Sequence, residues 1–71
     1  MGDEIRAEMV ANVWKVVKSA GETVEEGDTL VILESMKMEM PVEAEDEGTV
    51  TEIQCEEGQA VSEGDTLVVL D

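Results

Sequence analysis

The chain has no histidine, no tyrosine and no phenylalanine, and only one cysteine, one proline and one tryptophan among its 71 residues. Without histidine there is no Ser–His or Cys–His nucleophile pair and no imidazole metal ligand. The one cysteine, Cys55, cannot close an internal disulfide, which points to a reducing compartment. Basic residues are nearly as scarce. Four Lys and Arg stand against 19 Asp and Glu, a formal net charge of −15. A field of that sign repels phosphate backbones and anionic lipid headgroups, so neither nucleic acid nor a membrane surface is an expected partner. There is no apolar run near 18 residues and no signal-peptide pattern. Gly2 invites a myristoylation reading, but Arg6 stands where that motif needs Ser or Thr. The expected setting is the cytoplasm. A chain of this length is expected to form one domain, 1–71, and to bury only about 60 % of its unfolded surface, which leaves little room for a catalytic cleft.

What is present is a repeat. Residues 5–34, "IRAEMVANVWKVVKSAGETVEEGDTLVILE", align without gaps on 42–71, "VEAEDEGTVTEIQCEEGQAVSEGDTLVVLD", at an offset of 37. The block "EGDTLV" recurs unchanged at 26–31 and 63–68. Internal repetition of this kind signals duplicated architecture. The unit reads as β: short, apolar, β-branched runs leave Gly-Asp turns at Gly27-Asp28 and Gly64-Asp65, where glycine tolerates positive φ. No stretch keeps a helical period over ten residues. These signals predict an all-β fold of seven or eight short strands in two halves, packed as a flattened barrel or sandwich with pseudo-two-fold symmetry. The core is expected from Val13, Val16, Val24, Leu30, Ile32 and Leu33, with Val50, Ile53, Val61, Leu67, Val69 and Leu70.

Residues 35–41 join the halves, and Lys37 falls within one residue of their midpoint. Symmetry makes this connector a hairpin turn at one end of the molecule and puts both chain termini at the other end. Pro41 suits the edge of the strand that leaves the turn. Lys37 lies in "ESMKMEM", Glu34 to Met40, which holds three of the five methionines. A hairpin tip supplies neither the desolvation nor the neighbouring cation that turns a lysine into a nucleophile. It does supply exposure and a fixed geometry. Lys37 therefore reads as an acceptor for a separate enzyme that brings an activated acyl group. The plainer alternative is that Met36 and Met38 pack on the barrel and Lys37 is an ordinary surface lysine. Its coincidence with the repeat centre, the turn and the flanks favours the acceptor.

"ESMKMEMPVEAEDEGTV" closely resembles the attachment signature of the biotin/lipoyl family, and the resemblance extends over almost the whole chain, with "GETVEEGDTLVILESMKMEMP" similar to the family core. It implies a barrel-sandwich hybrid of two four-stranded antiparallel sheets. It also implies a non-catalytic carrier: biotin is joined to Lys37 by a biotin protein ligase using biotinyl-adenylate, then shuttles carboxyl groups between biotin carboxylase and carboxyltransferase sites. Glu34, Ser35, Met36, Met38 and Glu39 are implied as recognition flanks. Lipoyl domains usually carry Asp-Lys-Ala at the turn, so Met-Lys-Met favours biotin, with lipoate on the same lysine as the alternative. An unmodified interaction module is a third reading. The chain has no Ala/Pro-rich linker, which points to free-standing single-domain members; a monomer is expected. No insertion between Val17 and Val24 provides the protruding thumb of some acetyl-CoA carboxylase carriers. Many members begin Ala-Pro-Met-Pro-Gly; here the stretch is Ala7-Glu8-Met9-Val10-Ala11.

Three further features complete the reading. Cys55 aligns with Lys18, so it is expected to be structural and partly exposed. Trp14 aligns with Thr51, a hint of exposure, and is read as packing along the barrel side, with a partner contact as the alternative. Glu25/Glu26, Glu45/Asp46/Glu47 and Glu56/Glu57 match no calcium loop and read as solvated turn charge.

Overall fold

The β-branched runs become eight short strands in the computed structural model, which describes residues 3–71. They are β1 Asp3–Arg6, β2 Ala11–Val16, β3 Thr23–Val24, β4 Thr29–Ser35, β5 Met38–Glu43, β6 Gly48–Ile53, β7 Ala60–Val61 and β8 Thr66–Leu70. Two antiparallel four-stranded sheets have the orders β1-β8-β6-β3 and β5-β4-β2-β7. Shifted by 37 residues, β5 falls on β1, β4 on β8, β2 on β6 and β7 on β3, so the second order maps onto the first. The short strands β3 and β7 each join the sheet built mainly by the other half, which interlocks the duplicated units. Asp3 pairs with Leu70, so the end of the described chain and its start lie side by side in one sheet.

The hydrogen bonds repeat with the same offset. Gly21 N–H donates to the Val50 carbonyl and Gly58 N–H to the Val13 carbonyl, each at 2.7 Å. Gly27 N–H donates to Ala44 at 2.9 Å and Gly64 N–H to Ala7 at 2.8 Å. The Gly-Asp turns behave as the sequence predicts. Gly27 and Gly64 have φ of 90° and 93°, and the Asp28 and Asp65 carboxylates accept from Glu25 N–H and Ser62 N–H at 2.9 and 2.8 Å.

The core departs from the sequence expectation in one systematic way. Val31 and Val68 are fully buried, whereas Ile32 and Val69, expected in the core, are only half-buried. Val16 and Ile53 are also partly buried and pack against the cluster. The cause is a pair of equivalent bulges. Between β4 and β5 the register runs from Thr29↔Glu43 directly to Val31↔Val42. Between β1 and β8 it runs from Arg6↔Thr66 to Ile5↔Val68. Leu30 and Leu67 are the extra residues. A bulge breaks strict in–out alternation, so each leucine and the valine after it both point inward. Fully burying such a side chain stabilises by about 1.5–3 kcal/mol.

Cys55 is another correction: it is buried, not partly exposed. Its counterpart Lys18 is itself half-buried. A lysine can lay its alkyl stem against the core and keep its ammonium in water, so a lysine at the aligned position did not require exposure. Burial pushes the Cys55 thiol up from its ordinary value, which suits a structural residue. Trp14, expected at a part-exposed position, stands 47 % exposed. It is the extra residue of another bulge, since the β2–β4 register passes from Val13↔Leu33 to Lys15↔Ile32. The equivalent bulge falls at Thr51, between Val50↔Leu70 and Glu52↔Val69.

Candidate functional site

β4 and β5 form a hairpin whose six paired positions run from Thr29↔Glu43 to Ser35↔Met38. Ser35 and Met38 face each other, so the connector is much shorter than the expected 35–41. Only Met36 and Lys37 lie between the strands. Their φ angles are 53° and 65°, both left-handed. A two-residue loop with both φ positive is a type I′ turn, whose twist matches that of the flanking strands and which favours Asn-Gly. For other L-residues the left-handed region costs roughly 1–2 kcal/mol. Met36 and Lys37 therefore occupy a turn for which their residue types are poorly suited. Backbone strain of this kind is concentrated at functional sites.

The turn thrusts its side chains into solvent. Met36 is 91 % and Met38 63 % exposed, and Lys37 is exposed as well. The packing alternative for the methionines is thereby removed. Among the described residues no hydrogen bond or ion pair holds the Lys37 side chain. Two surface hollows, of about 280 and 260 Å³, are lined by residues of β1, β5 and the neighbouring loops, and Lys37 lines neither. The free amine, its exposure and its fixed backbone fit covalent attachment of an acyl group through an amide.

The other expected flanks separate. Glu34 and Glu39 are a cross-strand pair one step below the turn, with Glu34 half-buried and Glu39 exposed. Like charges directly opposite on a sheet are destabilising. Ser35 is half-buried as the last residue of β4. Pro41 lies opposite Ile32 on β5, an edge strand, where its missing N–H breaks no ladder.

Sequence reasoning missed a row of apolar residues on the outer face of this sheet. Trp14 is exposed as the bulge residue next to buried Val13, Ile32 lies between two buried neighbours, and Pro41 is exposed opposite Ile32. The alignment of Trp14 with Thr51 was the one signal of it. Alternation from buried Ala11 and Val13 sends Trp14 outward, and the bulge sends Lys15 to the same face.

Comparisons with known proteins agree with this geometry. The profile of the biotin-requiring enzyme family, which covers biotin and lipoyl domains, matches residues 2–70. A biotinylated protein TB7.3 homolog of Mycobacterium leprae is 51 % identical over 53 residues, 75 % of each chain. The biotin/lipoyl attachment protein of Bacillus subtilis is 46 % identical over 50 residues, 70 % of this chain and 68 % of that one. The urea carboxylase of Kluyveromyces lactis superposes with a TM-score of 0.93 at 35 % identity, over 100 % of this chain but 6 % of the carboxylase. The fold thus recurs as a small part of much larger enzymes. The chain belongs to the biotin and lipoyl attachment family.

Proposed function

We propose that this protein is a biotin carrier and that Lys37 is its attachment residue. The observation that carries the proposal is the placement of Lys37 in a strained two-residue turn, unpartnered, between two exposed methionines. In the modification step the Lys37 amine attacks the acyl carbon of biotinyl-adenylate. An N–C amide bond forms, the acyl–phosphate bond breaks, AMP leaves, and the amine proton passes to a base of the ligase. The barrel offers no base of its own at the tip. Its contribution is to hold the amine on a fixed backbone, clear of the protein body, with Met36 and Met38 as apolar flanks that a ligase can inspect. The bound biotin supplies a nitrogen that accepts and releases a carboxyl group. The partners are then a biotin protein ligase and the carboxylase and carboxyltransferase sites of a biotin-dependent enzyme.

Co-expression with a biotin protein ligase followed by intact mass measurement tests the assignment. A single biotinyl adduct is expected, and it should be absent from Lys37→Arg. An adduct that persists in Lys37→Arg refutes the residue assignment, and a lipoyl mass on protein from the native host replaces biotin by lipoate. Met36→Asp with Met38→Ala should slow biotinylation; an unchanged rate would remove the methionines as identity elements.

A further inference from the structure

The pseudo-two-fold axis provides an internal control for surface features below the turn, because residues 3–34 have counterparts 37 positions away at 40–71. On the outer face of the Lys37-bearing sheet lie Trp14, Ile32 and Pro41, with Lys15 opposite Ile32. Their counterparts are Thr51, Val69, Glu4 and Glu52. The other sheet uses its bulge residue for a hydrogen bond: the Thr51 hydroxyl donates to the Val69 carbonyl at 3.1 Å. It uses Glu4 for an ion pair with Arg6 at 2.9 Å. The Lys37-bearing sheet places an indole and a proline at the same two positions. The fold does not need an apolar row there, since the equivalent sheet is stable without one. The row occurs only on the sheet that ends in Lys37.

Its distance from Lys37 is also informative. Ile32↔Pro41 lies three pairs below Ser35↔Met38. At a strand rise of about 3.3 Å per residue, that is roughly 10 Å, and the turn adds a few more. An extended biotinyl-lysine spans about eleven single bonds from Cα to the bicyclic ring, on the order of 14 Å. The ring reaches the level of the row when the arm lies along the sheet. A row three strands wide is far too small for a stable protein interface, which buries about 1,200–2,000 Å². It is the right size for one bicyclic ring and part of its alkyl chain. The half-exposed indole offers a flat apolar surface with a polar edge, suited to a thioether ring that carries a ureido group.

We infer that the outer face formed by Trp14, Ile32 and Pro41 is a resting site for the biotinyl group carried on Lys37. The inference rests on the biotin-carrier reading. The site is intramolecular, so weak affinity is enough. A short tether gives an effective concentration of about millimolar, and an intrinsic Kd of that order leaves about half the molecules with the ring docked. The remainder stay available to partners.

The lone tryptophan makes the test direct, because Trp14 is the only aromatic residue of the chain. Intact mass first establishes that the sample is fully biotinylated; failure at this step concerns the carrier reading, not the resting site. Acrylamide quenching of Trp14 is then compared between biotinylated and unbiotinylated wild-type protein. With about half the molecules docked, the quenching constant should fall by roughly one third to one half on biotinylation. The single indole N–H resonance should shift, and nuclear Overhauser contacts should link biotin ring protons to the indole. Pro41→Glu installs the residue that the other sheet already accommodates at Glu4, and it should return the quenching constant to the unbiotinylated value while Lys37 remains biotinylated. Equal quenching in the two wild-type forms, with no indole shift, overturns the inference. So does a quenching constant that responds only when a biotin carboxylase is added, since the face would then belong to a partner.

Discussion

Met36→Asn should make the protein more stable and a poorer substrate for modification. Met36 has φ of 53°, in the left-handed region, and its side chain is 91 % exposed, so the substitution removes almost no packing. Holding an ordinary L-residue there costs about 1–2 kcal/mol. Asn adopts this region several-fold more readily than most residues, because its short amide bonds to the local backbone. Recovering about half of the cost gives roughly 0.5–1 kcal/mol of stabilisation. In a domain of this size 1 kcal/mol moves Tm by about 4–8 °C, so the expected rise is roughly 2–8 °C. Urea unfolding followed by Trp14 fluorescence should show a higher midpoint at unchanged m, because the surface exposed on unfolding does not change. Met38→Asn is the control. Met38 belongs to β5 and has no positive φ, so it should show no gain. The ligase assay should move the other way, with kcat/KM for biotinylation of Met36→Asn falling about tenfold, a loss of about 1.4 kcal/mol of transition-state binding. If Tm stays level or drops while m is unchanged, the turn is not storing strain. If biotinylation is unaffected, Met36 is not kept for the ligase.

Three further outcomes test other parts of the account. Val31→Ala should destabilise by about 2 kcal/mol and Ile32→Ala by only about 1 kcal/mol, despite the larger truncation, because Val31 is wholly buried and Ile32 faces outward; denaturant midpoints in the reverse order would disprove the bulge assignment. Gly27→Ala and Gly64→Ala meet open space, with nothing within 4 Å of the new Cβ, so each should cost only the backbone term of about 1–2 kcal/mol. The two values should agree within error and add in the double variant; unequal costs would show that the two turns are not energetically equivalent. The third outcome concerns pH. Burial raises the Cys55 thiol in the folded state, so the unfolded chain loses that proton first. Stability from this group is complete below the unfolded thiol value of about 8.5 and declines as pH rises past it. Urea midpoints from pH 7.5 to 10 should therefore fall more steeply for the wild type than for Cys55→Ala, and parallel slopes would rule out a buried thiol as the cause.

The architecture was legible in the sequence because it is written twice. A 37-residue offset marked by "EGDTLV" implied paired halves, turns at Gly27 and Gly64, and a lysine near the axis, and each follows from residue types with strong local preferences. What escaped was carried by register. The bulges at Leu30 and Leu67 put two successive residues on the inner face, so a reading that mixed alternation with run length chose Ile32 and Val69 where the barrel buries Val31 and Val68. A bulge is set by how two strands pair across space, and the same hydrophobic string accommodates it or not. Trp14 reads from its alignment with Thr51 as part-exposed packing along the barrel side; alternation from buried Ala11 and Val13 turns it outward, and the bulge adds Lys15 to the same face.

The tip shows the opposite relation between local preference and structure. Local rules place Asn-Gly in a two-residue hairpin, yet the chain has Met36-Lys37 there. Conflict between a residue and its conformation is expected where function, not folding, selects the residue. The other sheet makes the same point by contrast. Its outer face holds Thr51 in a hydrogen bond and Glu4 in an ion pair, groups whose local roles are visible. The sheet that ends in Lys37 replaces them with Trp14 and Pro41. A duplication begins with two equal faces, so the outer-face differences, Trp14 against Thr51 and Pro41 against Glu4, mark the sheet beneath the turn as the specialised one.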